Sequence, residues 1–151
     1  MPIAAATYIK DMTLLVRDRL ITGVTDPLSR SVGFVMTSYP KRDVRYPVIT
    51  VKTLGMADTV RLGLRSEEMW TRVPMEIRVW ARNVEERDSL AQSAQNVLRT
   101  IQLDATTGTV ANDMFGFKIS STVDVDEDSG DAGGLSVKSK VIDIQYQIVL
   151  A

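Results

Sequence analysis

The run DVDEDSGDAGG, Asp124 to Gly134, gathers five carboxylates and three glycines. Its Asp124, Asp126 and Asp128 stand at the first, third and fifth positions of a calcium-binding loop. The match fails where that geometry is strict: the sixth position carries Ser129 in place of the sharp-turn glycine, and the twelfth carries Leu135 in place of a bidentate Glu. Without those two residues the carboxylates repel one another and have little apolar area to bury. That predicts a flexible acidic loop at 124–134, with Asp124, Asp126, Glu127, Asp128 and Asp131 available to a basic protein partner. The chain contains no histidine and no cysteine, so the commonest metal ligand, general base and thiol nucleophile are missing. It also lacks a glycine-rich phosphate loop and a nucleophile elbow. Carboxylate-pair catalysis would need two acids buried together, but the acids cluster in this run and at a helix start. The expectation is a non-enzyme without cofactor or metal.

The second charged group is basic. Lys41, Arg42 and Arg45 in KRDVR, with Arg61, Arg65 and Arg78, could place positive charge on one side of the molecule. A nucleic-acid groove would add stacking aromatics or a denser basic field, and the net charge of −1 with pI about 5.5 excludes a strongly basic binder. Residues 1–100 hold 15 basic and 11 acidic side chains, whereas 101–151 hold 3 and 8. Such polarity suits contacts between copies through opposite faces, or simply a solvated acidic loop. Trp80 alternates out of the apolar set around it, which fits either a partner contact or a small satellite core.

The elements that position these residues follow from hydrophobic period. Thr7 can cap a helix over 8–21, with Ile9, Met12, Leu15, Val16 and Leu20 at steps of three and four. Val32–Ser38 reads as a short strand and Tyr39–Pro47 as a surface loop. Val48–Leu54 is a strand so continuously apolar that one end should be covered on both sides. Thr59–Arg65 alternates and is expected to pair antiparallel with its predecessor. From Pro74 the period is two, with Val73, Met75, Ile77, Val79 and Ala81 on one face and Glu76, Arg78 and Trp80 on the other. At Asn83 the period becomes 3.6. Asn83 and Glu86 have capping-box spacing, and Leu90, Ala94, Val97, Leu98 and Ile101 form a buried stripe. Met114–Val125 alternates again, with Phe115, Phe117, Ile119, Val123 and Val125 on one side. In the last strand Leu135 and Val137 have the opposite parity to Ile142, Ile144, Tyr146, Ile148 and Leu150. That requires a bulge near Lys140, or a first half that leaves the sheet.

These elements fit one 151-residue domain of the α+β class: a mixed, largely antiparallel sheet, two helices on one face and a projecting C-terminal β-hairpin. The other face is left uncovered and oligomerisation is expected. No stretch approaches 18 apolar residues and no cleavable leader pattern opens the chain, which predicts a soluble, non-secreted protein with no membrane partner.

In this order the elements resemble those of the tail terminator (tail completion) proteins of long-tailed bacteriophages. The resemblance rests on the N-terminal helix, on RYPVITV at Arg45–Val51, on VWARNVEERDSLAQSAQNVLR at Val79–Arg99, and on the closing DIQYQIVL. It implies a homohexameric virion ring at the head-proximal end of the tail, assembled in the host cytoplasm. The ring would cap the tail tube protein, end polymerisation after the tape-measure protein has set the length, and meet a head-side connector or stopper. Double-stranded DNA would pass through without sequence reading. A head-completion or neck connector protein, or a cellular non-catalytic adaptor, are the alternatives.

Overall fold

In the computed structural model residues 7–39, 44–54, 58–61, 69–106, 114–127 and 137–150 are described. Helix α1 (Tyr8–Gly23) is followed by strands β1 (Val35–Met36), β2 (Val48–Thr53), β3 (Asp58–Arg61) and β4 (Met69–Ala81), helix α2 (Val84–Thr106), and strands β5 (Met114–Glu127) and β6 (Val137–Leu150). The sheet order is β1-β2-β4-β6-β5, with β3 also paired to β4. Among the described strands only β1 and β2 pair in parallel. The fold is α+β, with a mixed, largely antiparallel sheet.

Strand β4 is the spine. Val73, Met75, Ile77, Val79 and Ala81 all point to one face and are fully buried, as alternation predicts. Ile49 and Val51 of β2 and Ile142, Ile144, Tyr146 and Ile148 of β6 lie beside them in register. Met12, Val16 and Leu20 of α1 and Leu90, Ala94, Leu98 and Ile101 of α2 close the same core, so both helices cover one face. Gly23 is where they come closest: a Cβ there would lie 2.5 Å from Val97 Cγ2. Gly23 is also the last residue of α1, and its missing side chain admits this close approach.

Three local expectations are corrected. First, β3 does not form a hairpin with β2. Thr53 pairs with Met75 and Asp58 with Arg72, so both strands run along the same edge of β4. Pro74 stands opposite the break between them, in mid-strand, with its carbonyl accepting from Leu54 N–H at 3.0 Å. A strand residue directs its N–H and C=O to the same edge, so the missing proline donor falls at that break and the β4–β6 ladder stays whole. Second, β6 carries no bulge and does not leave the sheet; it pairs with β4 continuously from Lys138 to Leu150. The irregularities lie in β5, between Phe115 and Lys118 and between Ile119 and Ser121. Gly116 sits in the first with φ +62. The second reverses parity: Phe117 and Ile119 pack on the core, whereas Val123 is 52% exposed. Third, residues 124–127 belong to β5, where a loop was expected. Residues 128–136, which join β5 to β6, lie outside the described residues.

Both helix starts are instructive. Asn83 Oδ1 accepts the Glu86 N–H at 2.8 Å, the expected cap. The Glu86 carboxylate reaches back to the N–H of Arg82 at 3.2 Å, one residue before the partner a capping box would use. Thr7, by contrast, makes no side-chain cap; its hydroxyl donates to Asp11 Oδ2 at 2.6 Å.

Candidate functional site

The face of β4 away from the helices carries Arg72, Pro74, Glu76, Arg78 and Trp80, all half-buried. Their neighbours in register are Thr50 and Lys52 of β2 and Val141, Asp143, Gln145 and Gln147 of β6. No described helix covers them. At the β2 end this face forms an open groove of about 400 Å³ lined by Thr37, Ser38, Tyr39, Thr50, Lys52, Glu76, Arg78 and Trp80.

Trp80 is fixed from three sides. Its indole N–H donates to Thr50 Oγ1 at 3.3 Å, the Tyr39 ring lies 4.9 Å away at 52°, and the Arg78 guanidinium lies 4.0 Å over its ring. Arg78 Nη2 also donates to Ser139 Oγ at 3.2 Å, and that hydroxyl donates to the Val125 carbonyl at 2.9 Å. A polar chain thus crosses β4, β6 and β5. It accounts for a buried serine on a sheet face that no helix covers. Trp80 is part of a satellite cluster and still faces outward.

Beyond the groove, Asp26 and Arg30 hold the segment between α1 and β1. Asp26 accepts the Leu28 and Arg30 N–H groups at 2.9 and 2.8 Å and Arg30 Nε at 2.9 Å. Burial of this carboxylate disfavours its charged form, but the Arg30 side chain and the two backbone donors outweigh that and hold its pKa below the ordinary value. Arg30 also donates to the carbonyls of Arg45 and Pro47, flanking the cis Tyr46–Pro47 peptide. A cavity of about 390 Å³ lies beside it, lined by Arg30, Ser31, Val32, Gly33, Met36, Val44, Arg45 and Val48. Val48 is buried on this face and Ile49 on the helix face, so β2 is indeed covered on both sides at its start.

Asp124 is not where a free loop would put it. Asp124 is paired with Lys140 across β5 and β6 and faces the start of α2. Arg87, only 7% exposed at its side chain, reaches Asp88 at 3.0 Å and Asp124 at 3.4 Å. Lys140 Nζ reaches the same two carboxylates at 3.0 and 3.2 Å. Hydrogen bonds from Lys140 and Arg87 lower the Asp88 pKa. Burial opposes the Lys140 charge, yet the two carboxylates raise its pKa. This balanced network fastens the end of the β5–β6 pair to α2.

Of the residues singled out from sequence, the structure brings Arg78 and Trp80 together on the open face and places Asp124 on the opposite one. Arg45 is exposed before β2, and its guanidinium forms no ion pair among the described residues. Asp126 and Glu127 end β5, and Arg61 ends β3, as backbone positions. Lys41, Arg42, Arg65, Asp128 and Asp131 lie outside the described residues. Sequence reading missed Asp26, Arg30, Tyr39, Arg87 and Ser139. Two signals were present: Asp26-Pro27 marks a turn, and Arg87 falls three residues before Leu90, in line with the α2 stripe. Among the described residues no three acids, histidines or cysteines converge on a metal-sized site, and no helix is long and apolar enough to cross a membrane. No protein-family model matches the chain, and no curated protein is significantly similar to it.

Proposed function

We propose that the protein is a structural virion subunit that forms a ring, capping the head-proximal end of a phage tail tube, ending its polymerisation and offering a surface for head–tail joining. The observation that carries this reading is the one-sided sheet. Two helices seal one face, while the other presents an outward tryptophan held by an arginine and a tyrosine. Tryptophan, tyrosine and arginine are the residues most enriched at binding hot spots. Among its described lining residues the groove has one carboxylate, Glu76, directly opposite Lys52 in register, an arrangement better suited to binding than to proton transfer. The order of elements, from α1 through the RYPVITV lead-in of β2 and the β4–α2 junction to the final β5–β6 pair, supports the tail-terminator form of this reading by its resemblance to that family.

On this proposal the partners are further copies of the chain, in a homohexamer, then the tail tube protein on one side and a head-side connector or stopper on the other, with contact to the tape-measure protein during assembly. The protein acts by binding, without a cofactor. It resides in the virion at the tail's head-proximal end and is assembled in the host cytoplasm. The test is reconstitution: purified protein added to growing tail tubes should bind one tube end and halt extension. Binding to head portals alone would favour a head-completion or neck protein, and indifference to both would favour a cellular adaptor.

A further inference from the structure

Strand β1 ends the sheet order on the β2 side, and no described strand pairs with its outer edge. The Phe34 carbonyl accepts the Ile49 N–H at 2.7 Å, so Phe34 turns its polar backbone toward β2. Alternate strand residues turn theirs to opposite edges, so the N–H and C=O of Val35 point outward, where they have no partner among the described residues. Cavities flank this edge on both sides of the sheet. The one of about 390 Å³ described above lies on the open face, beside Met36 and Val48. A second, of about 190 Å³, lies on the helix face, between Arg17 and Ile21 of α1 and Phe34 and Val35. The segment that leads into β1, Arg30 to Gly33, lines both.

We infer that β1 is a docking edge for an extended segment of a partner protein, one with two adjacent apolar residues next to an acidic one. An added strand takes main-chain hydrogen bonds from Val35 and sends successive side chains to opposite faces, one toward each cavity. The walls that meet them are apolar. Val32, 81% exposed, lines both cavities, with Ile21, 54% exposed, in the smaller and Met36 and Val44 in the larger. Charge selects the third residue. Neither cavity has a carboxylate among its described lining residues. Arg30 is held by Asp26 and two backbone carbonyls, and Arg17 by Asp18. Arg45, on the wall of the larger cavity, is exposed and has no ion pair among the described residues, so an acid on the incoming segment complements it. A two-residue edge is too short to hold a strand by its backbone alone, which leaves selection to the cavities. The edge is two strands away from Trp80 in the sheet order, and the inference does not rest on the ring reading.

The test titrates the full chain with fluorescent, end-blocked octapeptides whose central pair is phenylalanine and valine, in either order, followed by glutamate. At least one order should bind, and in that complex the Val35 amide should exchange with solvent at least about tenfold more slowly. Replacing the peptide's glutamate by lysine should weaken binding at least about tenfold, and so should Arg45→Glu on the protein; the variant with the lysine peptide should recover it. N-methylation of the peptide at the phenylalanine or at the valine removes one main-chain donor and leaves the protein untouched, and one of the two should abolish binding. A melting curve that matches the wild type shows that the variant folds; if it melts early, the peptide changes on the wild type decide alone. No binding by either order at millimolar peptide, binding indifferent to both methylations, or equal binding of the glutamate and lysine peptides would overturn the docking edge. Val35 protection that rises with protein concentration in the absence of peptide would overturn it too, because a second copy would then fill the edge. None of these results touches the ring reading.

Discussion

Two neighbours on β4, Ile77 and Arg78, show what separates the sheet's two faces. Ile77 is fully buried under both helices, with Val51 and Ile142 beside it in register. Arg78 points the other way, half-buried, its charge over the Trp80 ring and its donors on Ser139. One face is apolar and sealed by the chain itself. The other is built from long side chains whose stems shield one another while their polar ends stay accessible. Removing a side chain should therefore unfold the protein on one face and disable a contact on the other.

The largest expected effect is on the sealed face. Ile77→Ala should cost about 2–5 kcal/mol in denaturant unfolding, because it leaves a cavity among fixed neighbours; a loss below ~1 kcal/mol would mean that this core is loosely packed. Gly23→Ala should cost about 1–3 kcal/mol by forcing α1 from α2, since Val97 is β-branched and cannot swing aside. Much of that loss should return in Gly23→Ala/Val97→Ala. If the double variant is no better than the single, the helix contact has been misread.

Asp26→Asn sharpens the comparison from the loop side and should cost about 1–3 kcal/mol at neutral pH by weakening the Arg30 hub. Because the folded carboxyl has a lowered pKa, its contribution is complete above the ordinary aspartate value of about 3.9 and disappears as pH falls through the lower folded value. Wild type and variant should therefore converge in stability at acid pH. A gap that stays constant with pH would assign the loss to packing.

Trp80→Ala should cost folding only about 1–2 kcal/mol, from the lost Tyr39 and Arg78 contacts, while greatly weakening assembly or tube binding. Normal assembly by this variant would remove the open face from the functional reading. The smallest effect is expected at the β4–α2 junction, where Asn83→Ala should cost about 1 kcal/mol of stability through the lost cap and leave assembly unchanged.

Much of this was legible because it depends on local period. The β4 alternation, the α2 stripe, the Asn83 cap and the double-sided cover at the start of β2 each involve residues close in the chain, whose spacing alone sorts them between faces. Misreadings arose where partners are distant. Nothing around Thr59 tells β3 to pair with β4 instead of β2. The parity change between Val137 and Ile142 is visible in the sequence, but local pattern offers only a bulge in β6 or a departure from the sheet to explain it. The bulges lie in β5, and β6 stays straight because its ladder with β4 is unbroken.

The α+β class, the apolar sets of the two helices and the main strands, the uneven distribution of charge and the absence of histidine and cysteine can all be read from the chain before it folds. These are properties of spacing and composition. The ties of Asp124 to Arg87 and Lys140, the joining of two loops by Arg30 and the approach of Val97 to Gly23 appear only once the chain is folded. Each depends on strand register and helix approach, which long-range pairing sets and which no local pattern encodes.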